Sequence, residues 1–309
     1  MQFFKTPNID FVSKRKYAYV FSAALILMGI VAVILRGGYN YSIDFKGGTS
    51  MIVRFKTPVQ TETIRNVLSK IGYGTSEIKQ FGNTYEYLIY IEQQKELTAS
   101  EVAKKVAETF SNTPETKDYE IRQVDTVGPK VGKELRQKAV LAIAISLVII
   151  LIYIGYRFEF VFAMGAVIAV FHDVLVVLGF FPILNYEISL KEIAAFLTIV
   201  GYSLNDTIVI YDRVRENVKL YRNENLYTIL NRSINETLSR TIITALTVFM
   251  VCLVLFLFGG EGIKGFSFAM LLGTIVGCYS TVFVATPIAW EYYKKRPSTM
   301  ELRMLKRKR

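Results

Sequence analysis

Apolar residues in this chain fall into six long blocks separated by polar stretches. Each block is long enough for a helix of about 20 residues to cross a hydrocarbon core of about 30 Å. The pattern therefore predicts a polytopic α-helical membrane protein with six transmembrane helices, at residues 17–35, 139–156, 160–181, 193–211, 242–258 and 266–290. The last five form a five-helix transmembrane region over residues 137–290.

The polar segment 36–136, between the first two apolar blocks, has a short-range pattern of its own. Strand-forming runs at residues 49–56, 76–81, 85–92 and 119–127 predict four strands, with Gly82-Asn83 as a hairpin turn. Capping patterns that begin at Thr57 and Thr98 predict two helices, the first stopping at Gly72 and the second reaching about Phe110. The order β-α-β-β-α-β predicts an α+β ferredoxin-like domain.

Positive charge is distributed unevenly along the chain, which has a formal net charge of +11. Lys and Arg concentrate in an N-terminal arm (1–16), a loop (212–241) and a C-terminal tail (291–309), whereas the short loops on the opposite side of the membrane offer only Lys191 and Lys264. Loops rich in Lys and Arg stay cytoplasmic, so both termini are predicted to be cytoplasmic and the α+β domain extracytoplasmic. This distribution accounts for the charge without nucleic acid, and the expected surroundings are membrane lipids.

Asp206 is the main candidate for chemistry, because it lies inside the fourth apolar block. A charged side chain at the centre of a membrane helix costs roughly 2.5 to 3.5 kcal/mol on insertion scales, so such residues are commonly functional. The fifth block begins with Arg240 and carries Thr244 and Thr247 on the same helix face. If the two faces meet, Asp206 pairs with Arg240, and the pair is either a proton-driven switch or a static ion pair.

Several weaker candidates surround this pair. Arg213 could replace Arg240 as the partner of Asp206, from the same helix. Asn205 and Asp212 are further polar residues of that segment. In the third block, Asp173 lies on a small-residue face and His172 points about 100° away, which leaves a proton relay and structural hydrogen bonding both open.

Motifs for catalysis and for cofactors are missing from the sequence. It contains no Ser/His/Asp set, no metal-ligand cluster, no Walker motif and no Gly-x-Gly-Asp motif. These absences argue against an enzyme, an ATP-driven transporter and an intramembrane aspartyl protease, and no metal or cofactor is expected. Cys252 and Cys278 both fall within predicted spans, so no disulfide framework is implied.

Three segments resemble the SecF members of the SecD/SecF family, within the resistance-nodulation-division superfamily. They are Ile43-Asp44-Phe45-Lys46-Gly47-Gly48-Thr49, Gly201-Tyr202-Ser203-Leu204-Asn205-Asp206-Thr207 leading into Asp212-Arg213-Val214-Arg215-Glu216-Asn217, and Ser239-Arg240-Thr241. The family's ion-path carboxylate and arginine fall on Asp206 and Arg240. For Gly47 and Gly48, a tight turn that needs positive φ and direct contact with substrate both remain open.

The resemblance implies an auxiliary subunit of the Sec preprotein translocase in the bacterial cytoplasmic membrane. Such a subunit works with SecD as a separate chain and uses a proton or sodium gradient for late steps of protein export. The implied partners are SecD, the SecYEG channel, SecA, YajC, YidC and an unfolded preprotein. The alternative function is a proton-driven transporter of the same superfamily that moves a small molecule or a lipid.

Overall fold

The structure is a computed structural model that describes residues 7–92 and 99–295. The described helices are α1 (Arg15–Leu35), α2 (Ile43–Lys46), α3 (Thr61–Ser69), α4 (Ala99–Ser111), α5 (Pro129–Arg157), α6 (Phe160–Leu184), α7 (Leu190–Leu220), α8 (Leu226–Phe258), α9 (Glu261–Ser280) and α10 (Thr286–Lys294). The described strands are β1 (Gly48–Phe55), β2 (Glu77–Gln80), β3 (Glu86–Ile91) and β4 (Tyr119–Val127). The predicted cap at Thr98 and most of the basic tail lie outside the described residues.

Residues 43–92 and 99–127 form an α/β domain around one antiparallel sheet, whose strand order is β2-β3-β1-β4. Strand β1 lies inside the sheet and pairs with both β3 and β4, whereas β2 pairs with β3. All four predicted strands are present, and β4 has the bounds that the sequence indicated. Alternate residues of β1 and β3 point into a core shared with α3 and α4, formed by Met51, Val53, Phe55, Ile64, Leu68, Ile89, Ile91, Val102, Val106 and Phe110.

The predicted start of α3 is wrong by about one turn. The helix begins at Thr61 rather than next to Thr57, and its N-cap residue Gln60 is extended and makes no side-chain capping bond. Val59 explains the difference, because its side chain is buried in the core and its carbonyl oxygen accepts a hydrogen bond from the Tyr87 hydroxyl. These contacts place Val59 in the core, and the chain is still extended at Gln60, where the capping pattern alone would already have started a helix.

A helix bundle accounts for the rest of the described chain. Six helical segments are long and apolar enough to cross a membrane, and each predicted span falls within one of them. The sixth segment, Glu261–Lys294, contains α9, a π-helical turn at Thr281–Ala285, and α10. Helices α6, α7 and α9 are central and half-buried or more, whereas α1, α5 and α8 leave most of their apolar side chains exposed at the edge of the bundle.

The polar segment 212–241 is mostly helical, although hydropathy marks it only as a connection between spans. Helix α7 continues to Leu220 and α8 begins at Leu226, so residues 221–225 alone connect them. Ion pairs stabilise these polar helix extensions, with Arg157 to Asp212 at 2.8 Å and Arg213 to Glu236 at 2.6 Å. Hydropathy detects only the apolar part of a helix, so it ended α7 too early, at residue 211, and began α8 too late, at residue 242.

Candidate functional site

Asp206 lies on α7 with its side chain turned into the bundle, where the residue is only 2% exposed. The Thr244 hydroxyl of α8 lies within hydrogen-bond distance of an Asp206 carboxylate oxygen, at 3.3 Å. The same hydroxyl lies 3.0 Å from the backbone oxygen of Arg240, one turn earlier in α8. Helices α7 and α8 therefore bring the two polar faces together at Asp206 and Thr244.

The arginine of this pair does not contact the carboxylate in the state described. Arg240 is exposed, and no ion pair within 4.0 Å joins it to Asp206 among the described residues. The alternative partner, Arg213, is wrong for this structure, because its guanidinium binds Glu236 and Glu216, each at 2.6 Å. Arg213 is two turns along α7, about 10 Å from Asp206 along the helix axis, so it reaches the carboxylates nearer to it.

A second buried carboxylate, Asp173 of α6, lies deeper in the bundle with no exposed surface. One of its oxygens accepts hydrogen bonds from the hydroxyls of Ser203 at 2.6 Å and Ser280 at 2.8 Å. Its other oxygen lies 2.9 Å from Nδ1 of His172. The expectation that His172 points away from Asp173 is therefore wrong, because the imidazole folds back along α6 to its sequence neighbour.

Hydroxyl groups continue from Asp173 along the contact between α7 and the last span. The hydroxyl oxygens of Thr207 and Thr281 are 3.0 Å apart, and the Thr207 hydroxyl also lies within hydrogen-bond distance of the backbone oxygen of Ser203. Thr281 is the first residue of the π-helical turn, and its carbonyl accepts a hydrogen bond from the hydroxyl of Thr286, the first residue of α10. π-Helical turns within α-helices often occur at functional sites. Ser203 lies one turn from Asp206 on α7, so this polar cluster reaches the helix that carries the first carboxylate.

The sequence reasoning missed the hydroxyl residues of this cluster. Ser203 and Thr207 are four residues apart on α7 and share a face, which is the signal that could have revealed them. Nothing in the sequence shows that Ser280 and Thr281 meet that face, because the contact depends on how α9 packs against α7. Serine and threonine are also common at packed membrane helices, so their presence alone does not indicate a site.

The remaining candidates on α7, Asn205 and Asp212, do not join either carboxylate. Asn205 is exposed on another side of α7, and Asp212 pairs with Arg157 at the end of α5. Within residues 7–92 and 99–295, no three His, Cys, Asp or Glu side chains are grouped so that they could hold a metal ion. What the bundle offers chemically is a pair of buried carboxylates, Asp206 and Asp173, each with hydroxyl neighbours.

The glycine pair next to α2 adopts the positive φ of a tight turn, one of the two alternatives that the sequence left open. Gly47 has a φ of 76° and Gly48 a φ of 133°, both in the region that disfavours side chains. A Cβ atom at Gly48 would also lie 2.6 Å from the backbone oxygen of Ile91. Asp44 makes a longer-range contact, because its carboxylate accepts a hydrogen bond at 2.9 Å from the backbone N–H of Leu190, the first residue of α7.

Comparison with known proteins identifies the family to which the chain belongs. Residues 105–295 match the family model of the protein export membrane protein SecD/SecF, C-terminal, and residues 40–59 match the SecD/SecF GG motif. A protein translocase subunit SecF from Rhodothermus marinus is 42% identical over 298 residues, covering 94% of this chain and 95% of that protein. The corresponding subunit from Calditerrivibrio nitroreducens is 39% identical over 285 residues, covering 92% of this chain and 93% of that protein.

A solved structure is similar as well. The crystal structure of SecDF, a translocon-associated membrane protein from Thermus thermophilus, superposes with a TM-score of 0.83 at 36% identity and covers 93% of this chain. This chain spans 39% of the length of that one. The family models and the relatives cover the signature segments and the helix bundle together. The chain therefore belongs to the SecD/SecF family of protein export membrane proteins and matches its SecF members.

Proposed function

We propose that this chain is an auxiliary subunit of the Sec protein translocase that, together with SecD, uses a proton or sodium gradient to drive late steps of protein export. The SecF relatives, which match nearly their whole length, support the translocase role. The observation that supports ion coupling is Asp206, a carboxylate buried in a membrane-crossing helix and hydrogen-bonded by one hydroxyl. Such a group changes its contacts when it gains or loses a cation.

Two alternative contacts of Asp206 would form the switch. In one state the carboxylate is held by Thr244, as described here, while Arg240 stays exposed one turn along α8. In the other, Arg240 turns towards the ionised carboxylate and binds it. Binding of H⁺ or Na⁺ at Asp206 favours the first state, because it removes the charge that attracts the guanidinium. One charge that crosses 100 mV carries about 2.3 kcal/mol, which is enough to bias a two-state contact of this kind.

The α/β domain is the part of the chain that would act on preprotein. We infer that it lies outside the cytoplasm with both termini inside, on the strength of the positive-inside distribution. Its order of elements and its sheet order, β2-β3-β1-β4, support a ferredoxin-like arrangement. SecD is the direct partner in this proposal. SecYEG, SecA, YajC and YidC are further members of the same machinery.

The test is preprotein release in vesicles that contain this chain with SecD and the channel, measured with and without an imposed ion gradient. Asp206→Asn should abolish the gradient-dependent increase while the chain still inserts and co-purifies with SecD. The matched control is Asp118→Asn, the same chemical change at an exposed residue of the α/β domain. Gradient-dependent release at the unmutated level in Asp206→Asn would refute the ion-coupling role.

A further inference from the structure

The α/β domain meets the helix bundle at a junction formed by residues 40–48 and 187–190. Backbone hydrogen bonds join the two segments directly, from Ser42 N–H to the Ile188 oxygen at 3.0 Å and from Ile188 N–H to the Asn40 oxygen at 2.8 Å. Residue 188 lies just before α7, the helix that carries Asp206. The junction thus connects the entry to the domain with the start of that helix.

Within the junction, Asp44 binds the first N–H group of α7. A helix leaves its first four N–H groups without intrahelical partners. Ser189 and Glu192 form a capping box here, in which the Ser189 hydroxyl accepts from Lys191 N–H at 3.1 Å and Glu192 accepts from Ser189 N–H at 2.8 Å. The N–H group of Leu190, which the capping box leaves free, donates its hydrogen bond to the Asp44 carboxylate. Helix α7 is therefore capped by its own residues and, in addition, tied to the segment that leads into the α/β domain.

Two further contacts reinforce this tie. Phe45 is buried in one apolar cluster with Phe196 and Ile199 of α7. From the α/β domain, Lys79 of β2 forms an ion pair at 2.5 Å with Glu187. On the domain side, Gly47 and Gly48 continue directly into the central strand β1, and the Gly47 oxygen accepts a hydrogen bond from the Tyr90 hydroxyl of β3. These contacts connect the start of α7 with β1 and β3, the two central strands of the sheet.

The geometry points to Asp44 as a positioning residue that couples movement of α7 to movement of the α/β domain. Asp206 lies about 24 Å along the same helix from Leu190, at ~1.5 Å per residue, and no proline interrupts α7 between them. A helix is stiff enough over this length to carry a shift from one end to the other. This inference rests on the proposed function, because it needs Asp206 to move α7 in response to the ion.

The experiment measures two quantities in the same vesicles, ion flux through the complex with SecD and gradient-dependent preprotein release. Asp44→Ala removes the acceptor, and Leu190→Pro removes the donor at a position where proline suits the first turn of a helix. Both should lower gradient-dependent release about five-fold, the scale expected for one lost hydrogen bond. Ion flux should stay within two-fold, because Asp206 and its neighbours are unchanged.

Matched controls separate coupling from helix stability. Asp44→Asn keeps a side-chain oxygen that can accept from Leu190, so it should retain most of the release. Ser189→Ala weakens the cap of α7 but leaves the hydrogen bond between Asp44 and Leu190 intact. Ion flux and gradient-dependent release should therefore both stay at the level of the original chain. If Ser189→Ala reproduced the loss, the effect would come from fraying of α7 and the inference would be overturned.

The outcomes also separate this inference from the proposed function. If Asp206→Asn abolishes gradient-dependent release while Asp44→Ala and Leu190→Pro preserve it, the junction has no coupling role and the ion-coupling proposal stands. If flux and release fall in parallel in the junction variants, Asp44 belongs to the ion site and the inference is again wrong. If Asp206→Asn keeps gradient-dependent release, the proposed function fails and the inference fails with it.

Discussion

Gly48→Ala tests whether the signature glycine is needed for packing as well as for backbone freedom. Gly48 has a φ of 133°, and an added Cβ would lie 2.6 Å from the Ile91 oxygen and 3.0 Å from the Tyr90 ring. A side chain in this backbone region costs about 1 to 3 kcal/mol. Forcing an extra methyl group against backbone adds roughly 1 to 3 kcal/mol. The β1–β3 pairing should therefore lose about 2 to 6 kcal/mol of local stability.

Gly38→Ala is the matched control for this substitution. Gly38 has nearly the same φ, 132°, but no heavy atom lies within 4 Å of the position that an added Cβ would take. The strain there can relax into the connecting segment between α1 and the α/β domain, so the sheet should be almost unaffected. The difference between the two variants therefore measures the contact with β3 together with the backbone strain that cannot relax within β1.

Amide hydrogen exchange of the full chain in detergent provides the assay. Exchange of the β1 and β3 amides should accelerate at least about thirty-fold in Gly48→Ala, since each 1.4 kcal/mol corresponds to a factor of ten. In Gly38→Ala it should change less than about three-fold. Equal acceleration in both variants would show that backbone strain alone matters and would refute the packing argument.

Two further predictions concern the Asp206 site and the junction between the α/β domain and the helix bundle. Thr244→Val removes the hydroxyl beside buried Asp206, and loss of this hydrogen bond costs about 1 to 3 kcal/mol of free energy. Gradient-dependent release should fall three-fold or more. Thr247→Val is the control, because the Thr247 hydroxyl donates to the backbone oxygen of Thr244 and not to Asp206. At Lys79, burial opposes the charge, but hydrogen bonds to Glu187 and a second carboxylate outweigh it and raise the pKa of the ammonium. A raised pKa stabilises the fold below the ordinary lysine value of about 10.4 and loses that contribution as pH rises through the higher folded value. The thermal stability difference between the original chain and Lys79→Met should thus be constant from about pH 7 to 10 and shrink above; a difference that grows with pH would contradict this.

The helices and strands were largely predictable because they depend on local patterns. Each of the six apolar blocks falls within a membrane-length helical segment of the described chain, and the alternating residues 119–127 form strand β4. The positive φ at Gly47 and Gly48 is one of the two alternatives that the residue type had left open. Errors occurred where a distant contact decides the outcome, as at Val59, which Tyr87 holds out of the helix.

The candidate site was predictable only in part, for the same reason. The polar faces around Asp206 and Thr244 follow from helix periodicity, and the structure brings them together. The partners of Asp173 do not follow from any pattern, because Ser203 and Ser280 come from two other helices. The Asp44 contact with Leu190 joins residues 146 positions apart, and only the packing of the α/β domain on the bundle brings them together.

The most direct test of ion coupling through Asp206 is preprotein release in vesicles on which H⁺ and Na⁺ gradients are imposed separately. The measurement compares the original chain with Asp206→Asn, each assembled with SecD. The account predicts that one of the two gradients accelerates release by the original chain and that neither accelerates release by Asp206→Asn. Acceleration of equal size in both proteins would contradict the central claim.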